Sequence, residues 1–249
     1  MTFERHPTGI PGLDDLLQGG FPAGSVVLLA GPPGSLKTIF AIEYVYNGAS
    51  QFNEPSVFVS FQQSPDELKK QAGMFGFDFT PLEENNTVRI VEVDVLEDDH
   101  PIDQIRENVE EINAKRLVVD TVSTLMNRLP LSNHAIGDHK LVEVMDSIVP
   151  VPLPLDAVER EQLIILLKDV KKLGCTSLLT YEADKAEAPH KVIEFLADGV
   201  IKLNVLAIGS RTVTVEKMRY TKIDPTSRSV NIDENGISVG QSLKGKSLF

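Results

Sequence analysis

Short apolar runs alternate with longer amphipathic runs through most of the chain, and this alternation limits the possible folds more than any other feature of the sequence. A short apolar run is typical of a buried strand, and a longer amphipathic run is typical of a helix on a sheet. The pattern predicts helices between strands at residues 25–30, 56–60, 88–93, 117–120 and 176–180. We therefore expect an α/β fold, a mostly parallel sheet flanked by helices.

Two of the helical segments carry further signals. Ser64, Pro65 and Glu67 form a capping box with proline at the first helical position, where its missing N–H is not needed. Residues 158–173 predict another helix, and its unbroken apolar run at residues 163–167 predicts burial on more than one side.

Beyond residue 199 the pattern changes, because strand follows strand. Residues 233–236, Asp-Glu-Asn-Gly, predict a hairpin turn. No linker rich in Gly, Ser or Pro separates this part, so we expect one domain, residues 1–249, with an antiparallel C-terminal extension of the sheet. The predicted C-terminal strands are residues 200–205, 211–217, 230–232 and 237–239.

Residues 133–156 have no clear period and are predicted to be an irregular insertion. Pro150, Pro152 and Pro154 oppose a helix or a central strand there. The segment is a long loop or a small excursion from the fold. A polyproline ligand for a partner protein is the alternative to a stiff surface connection.

The charge balance narrows the possible partners and compartments. The 24 basic residues are outnumbered by 36 acidic ones, and a net charge of −12 opposes binding to nucleic acid and to anionic membranes. Cys175 is the single cysteine, and no apolar stretch approaches the ~18 residues of a membrane span. The first residues lack an apolar signal core. We expect a cytoplasmic protein with no membrane partner.

The strongest candidate site is a glycine-rich turn between a predicted strand and a predicted helix. The backbone N–H groups of such a turn converge, and the helix N-terminus adds positive potential, which suits a polyphosphate. The spacing fits G-x-x-x-x-G-K-[ST], a P-loop, with Lys37 expected on the β and γ phosphates and Thr38 on Mg²⁺. A turn without a ligand would require neither side chain. The residues are Gly31, Pro32, Pro33, Gly34, Ser35, Leu36, Lys37 and Thr38.

Leu36 stands where the pattern has glycine. A leucine there is expected to crowd the phosphates, or to strain the turn if the backbone needs a positive φ. Asp120 ends a predicted strand, and ligands bind at the carboxyl ends of parallel strands, so Asp120 is expected to hold Mg²⁺ through a water together with Thr38. A simple turn role for Asp120 is the alternative.

Taken together, these motifs resemble the KaiC and RadA branch of the RecA-like P-loop ATPases. The KaiC side fits better, because no N-terminal DNA-binding module precedes the loop. The resemblance covers nearly all the chain except residues 133–156. The segments that carry it are residues 8–17, 19–25, 57–64, 117–123, 194–202 and 211–219, with the P-loop.

The resemblance implies a RecA-like NTPase core that binds ATP or ADP with Mg²⁺ between the subunits of a homo-oligomeric ring, commonly a hexamer. Lys217 and Arg219 match a Lys-x-Arg pair that reaches the γ-phosphate of the adjacent subunit. Residues two apart on a strand share a face roughly 7 Å apart, so both cations can meet one anion. A solvated basic edge is the alternative.

The most informative departure from the family is at Gln62 and Gln63, where KaiC-like proteins usually carry glutamates that activate the attacking water. A glutamine amide can orient water but cannot take its proton, and losing a general base costs a factor of ~10² to 10⁴ in rate. We therefore expect an ATP·Mg²⁺-binding switch or ring scaffold with slow or absent hydrolysis and an unknown protein partner.

Two other functions stay open. An active ATPase would use a water positioned by Gln62 or Gln63, or deprotonated by Glu43 or Glu182. A DNA-associated recombinase relative is disfavoured by the charge.

Several weaker candidates complete the sequence-based predictions. Thr180 and Glu182 lie at a strand end that suits a γ-phosphate sensor, whereas the spacing of His134, Asp138 and His139 matches no metal pattern. Asp14 and Asp15 are expected to be solvated, and Lys168, Lys171 and Lys172 to stabilise the end of a helix.

Overall fold

The computed structural model describes residues 3–94, 101–128, 140–144, 147–151, 155–183, 190–207 and 209–242. The strands are β1 Arg5–His6, β2 Phe21–Pro22, β3 Val26–Gly31, β4 Ser56–Ser60, β5 Val88–Glu92, β6 Arg116–Asp120, β7 Lys140–Val144, β8 Ser147–Val151, β9 Thr176–Glu182, β10 Gly199–Val205, β11 Arg211–Met218, β12 Arg228–Asp233 and β13 Gly236–Ser242. The helices are α1 Leu13–Leu16, α2 Lys37–Phe52, α3 Pro65–Gly73, α4 Thr80–Glu84, α5 Pro101–Glu111, α6 Val122–Arg128, α7 Leu155–Lys172 and α8 His190–Leu196.

A nine-stranded sheet forms the centre of the fold, in the order β13-β12-β11-β10-β3-β9-β6-β4-β5. The six strands from β10 to β5 are parallel, whereas β10 to β13 pair antiparallel. This confirms the α/β class and the antiparallel C-terminal extension. Each predicted strand is present, with ends displaced by a few residues.

Apolar residues cover both faces of the parallel strands, which is why these strands read as continuous apolar runs. Val27 and Leu29 face one core cluster together with α2, whereas Val26 and Leu28 face a second cluster together with α5 and α7. The sheet is thus the middle of three layers. Its C-terminal edge between the layers is where the chain leaves β3, β9, β6 and β4.

Part of the predicted insertion is ordered as an antiparallel pair, β7 with β8. Leu141 lies opposite Pro150, so residues 140–144 and 147–151 form paired strands, in contrast to the long loop considered from the sequence. Proline is tolerated because each strand of a two-stranded sheet has one unpaired edge. Pro152, Pro154, His134, Asp138 and His139 lie outside the described residues.

Two other local predictions are wrong. In α7, Leu163, Leu166 and Leu167 are buried but Ile165 is 52% exposed, so this helix is covered on one side. Asp14 is not simply solvated, because its carboxylate accepts hydrogen bonds from the backbone N and hydroxyl of Thr8, at 2.8 and 2.7 Å, and from the N of Gly9, at 3.0 Å. Asp14 thereby orders the loop ahead of α1.

Arg116 fastens α2 to the start of β6. Its side chain is fully buried and donates to Glu54 Oε2, at 2.5 Å, and to the carbonyl oxygens of Tyr44, at 2.9 Å, and Pro7, at 2.6 Å. Its guanidinium also lies over the Tyr44 ring, 4.6 Å from the centroid. A buried arginine is tolerable only with such partners, and here they fix α2 on the sheet.

Glu43 connects α2 to the C-terminal hairpin. The side chain is 2% exposed, and its Oε2 accepts a hydrogen bond from the N of Ile237, at 2.8 Å. Burial raises the pKa of Glu43 to about 7, although the bonds from Ile237 and Asn47 oppose this. Folding therefore favours the protonated acid, and this contribution to stability is lost as pH rises from the usual glutamate range to about 7.

We expect Glu43→Gln to remove this pH dependence. Between pH 5 and pH 8 the parent should lose roughly 2 kcal/mol of unfolding free energy relative to Glu43→Gln, since one pKa unit corresponds to about 1.4 kcal/mol. Urea unfolding of both proteins at the two pH values measures the difference. Equal slopes against pH would show that Glu43 ionises normally in the folded chain.

Candidate functional site

The candidate residues meet because parallel strands end at one edge of the sheet. β3, β9, β6 and β4 are consecutive neighbours in the sheet. The P-loop follows β3, and the other candidates lie at the ends of the next three strands. In spatial order these are Thr180 and Glu182, Asp120, and Gln62 with Gln63.

The P-loop turns sharply between β3 and α2. A Cβ on Gly31 would lie 2.6 Å from the carbonyl oxygen of Leu203, so glycine is needed for the approach of β10, and Gly34 has φ +74°. Residues 34–39 line a depression of about 250 Å³. The Ser35 hydroxyl is buried here without a hydrogen-bond partner in the described part of the chain. Such a loop, followed by a helix N-terminus, can bind an anion.

Leu36 adopts the left-handed conformation, with φ +77° and ψ +20°, directly before α2. The backbone strain that the sequence predicts for a positive φ at Leu36 is therefore present. For a residue with a Cβ such strain typically costs about 1–2 kcal/mol. The side chain packs against the core cluster on the α2 face of the sheet. The leucine thus keeps the glycine-type backbone of the loop and adds a core contact.

Lys37, the first residue of α2, folds back onto the loop. Its Nζ donates to the carbonyl oxygens of Gly31, at 2.9 Å, and Pro32, at 3.0 Å. Burial lowers the pKa of this amine, and the carboxylates of Glu182 and Asp120 oppose the shift. The amine is thus placed among the P-loop carbonyls, where an anion with several oxygens would compete for it.

Asp120 joins three elements at the same edge. Its carboxylate is nearly buried and accepts from the hydroxyl of Thr38, at 2.9 Å, and from the hydroxyl of Thr180. Burial raises the pKa of Asp120, while the two hydroxyls and Lys37 oppose this. Carboxylate and hydroxyl oxygens are ligands that Mg²⁺ prefers, so Thr38 and Asp120 are a fitting donor pair.

The two glutamines lie beyond Asp120, across β6. Their backbone N–H groups both donate to the hydroxyl of Ser60, at 3.3 Å for Gln62 and 2.9 Å for Gln63. The Gln62 amide nitrogen donates to the hydroxyl of Thr124. Neither amide supplies a base at this position.

Of the two alternative bases, only Glu182 lies at this edge. Glu182 is opposite Gly31 in the β3–β9 register and is exposed, and its backbone N donates to the hydroxyl of Ser123 at 2.8 Å. Glu43 instead points to Ile237 in the C-terminal hairpin. The suggestion that Glu43 activates water is therefore wrong.

Lys217 and Arg219 lie at the opposite edge of the sheet. β11 runs antiparallel to β10, so its first residue, Arg211, lies beside the P-loop, whereas Lys217, next to its last residue, lies at the opposite end of the strands. Lys217 Nζ donates to the carbonyl oxygens of Glu194, Phe195 and Ala197, at 3.0, 2.8 and 2.6 Å. The structure does not bring the pair to the P-loop of its own chain.

Sequence reasoning missed Arg211. Its Nε donates to the carbonyl oxygen of Gly34, at 3.0 Å, so a C-terminal strand holds the P-loop from outside. The signal was available, because a hairpin partner of a strand parallel to β3 must begin at the P-loop edge. Arg211 is the first residue of that partner strand.

Comparison with known proteins agrees with this geometry. A family model described as "ATPase: KaiC" matches residues 6–244. The chain belongs to the KaiC ATPase family. This also confirms the RecA-like P-loop resemblance noted from the sequence.

Individual relatives support the assignment. The UPF0273 protein MJ1359 of Methanocaldococcus jannaschii is 29% identical over 95% of the chain and 96% of its own length. The circadian clock oscillator protein KaiC of Prochlorococcus marinus is 30% identical over 96% of the chain, which spans 46% of that protein. The crystal structure of the KaiC-like protein PH0186 of Pyrococcus horikoshii superimposes with a TM-score of 0.80 at 32% identity, covering 96% of this chain and all of that one.

In the described ranges, no helix is both long enough and apolar enough to cross a membrane. The same ranges hold no group of three or more His, Cys, Asp or Glu residues arranged to bind a metal ion.

We expect the strain at Leu36 to reverse the usual stability order of alanine and glycine variants, in which alanine is the more stable. Leu36→Gly should be more stable than Leu36→Ala by roughly 1 kcal/mol, because both lose the core contact but only alanine keeps the left-handed strain. Chemical denaturation measures the difference.

Ser50, an exposed residue late in α2, is the matched control. There, alanine should be more stable than glycine by roughly 1 kcal/mol, as in an ordinary helix. The same order at both positions would contradict the strain.

Proposed function

We propose that this KaiC-family protein binds ATP with Mg²⁺ at the P-loop and acts as a nucleotide-dependent switch or ring scaffold, with slow or absent hydrolysis. The observation that carries the proposal is that Lys37, Thr38 and Asp120 lie together at the P-loop, with a pair of glutamines at the end of a neighbouring strand. Binding and hydrolysis depend on different residues of this edge, so one can be kept while the other is lost.

The P-loop residues support nucleotide binding. The loop N–H groups, Lys37 and the α2 N-terminus would hold the phosphates, and Arg211 steadies the loop through Gly34. Thr38 and Asp120 would hold Mg²⁺, which when bound neutralises phosphate charge. The buried, unpartnered Ser35 hydroxyl is a further polar atom in the same loop.

The glutamines support slow turnover. A water near Gln62 or Gln63 could be oriented by an amide but would keep its proton. Gln62 is moreover engaged with Thr124. Without a base the rate should fall by a factor of ~10² to 10⁴ while affinity for nucleotide is retained.

The positions of Lys217 and Arg219 support assembly. They cannot serve the P-loop of their own chain, because they lie at the other edge of the sheet. The family resemblance implies a homo-oligomeric ring, commonly a hexamer. In such a ring Lys217 and Arg219 would contact the γ-phosphate bound by the neighbouring subunit. A cation supplied in this way can contribute a factor of ~10³ to 10⁵ to phosphoryl transfer.

The clearest test restores the missing acid. We expect Gln62→Glu or Gln63→Glu to raise phosphate release at least ~10-fold over the parent, since a general base contributes a factor of ~10² to 10⁴. ATP affinity should change little. Phosphate release and affinity for a fluorescent ATP analogue are measured on the same samples.

Two control variants accompany these measurements of phosphate release and ATP affinity. Gln104→Glu makes the same change on the exposed face of α5 and should alter neither quantity. Lys37→Ala should abolish binding. Ordinary ATPase rates in the parent, with nothing gained from either glutamate, would overturn the proposal.

An active ATPase is the second candidate, and Glu182 favours it. This carboxylate is exposed beside Gly31 and acts electrostatically on Lys37. Glu182→Gln would abolish turnover of the parent under this candidate and would change little under ours. Affinity for single-stranded DNA that falls steeply with salt would instead favour the recombinase relative.

Assembly has its own test. We expect light scattering to show a large oligomer with ATP and Mg²⁺ and a smaller species without nucleotide. Lys217→Ala and Arg219→Ala should weaken this response, whereas Lys222→Ala, an exposed cation on the following segment, should not. A strict monomer in both states would remove the proposed roles of Lys217 and Arg219.

A further inference from the structure

Arg219 is held by a buried carboxylate that the P-loop site does not use. Asp198 lies between α8 and β10, at the sheet edge away from the P-loop, and its side chain is 8% exposed. Its Oδ1 accepts from Arg219 Nη1 at 2.7 Å, and its Oδ2 accepts from the N of Val26 at 3.1 Å. The backbone N of Arg219 also donates to the carbonyl oxygen of Asp198, at 2.8 Å.

A second cation shares this carboxylate. Lys171 Nζ donates to both oxygens of Asp198, at 2.9 and 3.0 Å. Burial opposes ionisation of Asp198, but the bonds from Val26, Lys171 and Arg219 together hold its pKa below the usual range. The group is therefore a fixed anion with two cations, and its net charge is positive.

We propose that Asp198 is a positioning residue for Arg219, and that Lys171 preserves the positive charge that Asp198 would otherwise cancel. The proposal rests on the assembly described under the proposed function.

The geometry of arginine supports this role. A guanidinium has five N–H donors in one plane, and within the described chain the only side-chain bond of Arg219 is at Nη1. Asp198 thus fixes one edge of the plane and leaves donors for a neighbour's phosphate. Arg219 is 46% exposed, so this remaining edge is accessible.

Lys171 offsets the negative charge that Asp198 places beside Arg219. An arginine paired with one carboxylate is neutral as a pair and would attract a phosphate weakly. With Lys171 the group carries a charge of +1. Lys217 lies close to it: burial lowers the pKa of Lys217, and the positive charge of Arg219 lowers it further. A local positive patch therefore exists on a chain whose net charge is −12.

The test uses Asp198→Asn, for which positioning and simple charge predict opposite results. The variant makes the patch more positive, so a purely electrostatic Arg219 would strengthen ATP-dependent assembly. Positioning predicts weaker assembly, because Arg219 would have to be ordered on binding. The ATP concentration at half-assembly should then rise by up to roughly tenfold, the usual cost of immobilising one long side chain. Light scattering with ATP and Mg²⁺ measures it on the full chain.

The double variant Asp198→Asn/Arg219→Ala separates positioning from general support of the fold. If Asp198 acts through Arg219, adding Asp198→Asn to Arg219→Ala should change half-assembly less than twofold. An equal effect in both backgrounds, or stronger assembly, overturns the inference. Asp103→Asn, which removes an exposed pair with Arg106 on α5, is the matched control and should leave assembly unchanged.

Lys171→Met keeps the inference testable if Asp198→Asn does not fold, because Lys171 is exposed at a helix end. Lys171→Met should weaken assembly when it is introduced into the parent, but not when it is introduced into the Arg219→Ala variant. An equal effect in both would overturn the inference.

The failures are distinguishable. If Arg219→Ala leaves assembly unchanged, the proposed assembly role falls and this inference falls with it. If Arg219→Ala weakens assembly but Asp198→Asn does not, only the inference fails.

Discussion

The site depends on one buried carboxylate, Asp120, at the end of the interior strand β6. A buried anion is tolerated only when hydrogen bonds replace its water. Here the replacements come from Thr38 at the start of α2 and Thr180 on β9. Satisfying Asp120 therefore fixes the P-loop helix against two strands. Arg116, at the other end of β6, holds the middle of α2 through the carbonyl oxygen of Tyr44, so α2 is attached to β6 at two points.

This arrangement explains why a leucine is acceptable inside the P-loop. The backbone at Leu36 is imposed by the elements on either side, with Gly31 pressed against Leu203 and α2 fastened to β6. The chain tolerates the strain, and the leucine side chain recovers some stability by packing on the core. The loop geometry is thus a property of the surrounding layers as much as of its own sequence.

Much of the fold could be predicted from the sequence, because strands buried on both faces carry an unambiguous apolar signal. The P-loop, the capping box at Ser64 and the end of β6 at Asp120 follow from local patterns that depend on neighbouring residues. The same locality explains the failures. Ile165 is apolar yet exposed, because only the packing of α7 decides which side is covered.

Contacts between distant segments were out of reach. Arg211 contacts Gly34 across a separation of 177 residues; the order of the strands places Arg211 near the P-loop, but no local pattern encodes the bond itself. Asp14 was misjudged for a related reason, since its partners Thr8 and Gly9 precede it in a loop without period. The β7–β8 pair lies in a segment whose prolines pointed away from strand structure.

β11 runs from the P-loop end of the parallel strands to their opposite end. One terminus grips the phosphate loop through Arg211, and the other caps the end of α8 through Lys217. Eight residues at about 3.4 Å each make a strut of roughly 27 Å. β10 pairs along the strand, whereas β12 pairs only with residues 211–213, and the register with β10 shifts between Val215 and Lys217. A displacement of the P-loop would therefore pass along the doubly paired start of the strand, and the irregularity at Glu216 is where the strand can bend before Lys217.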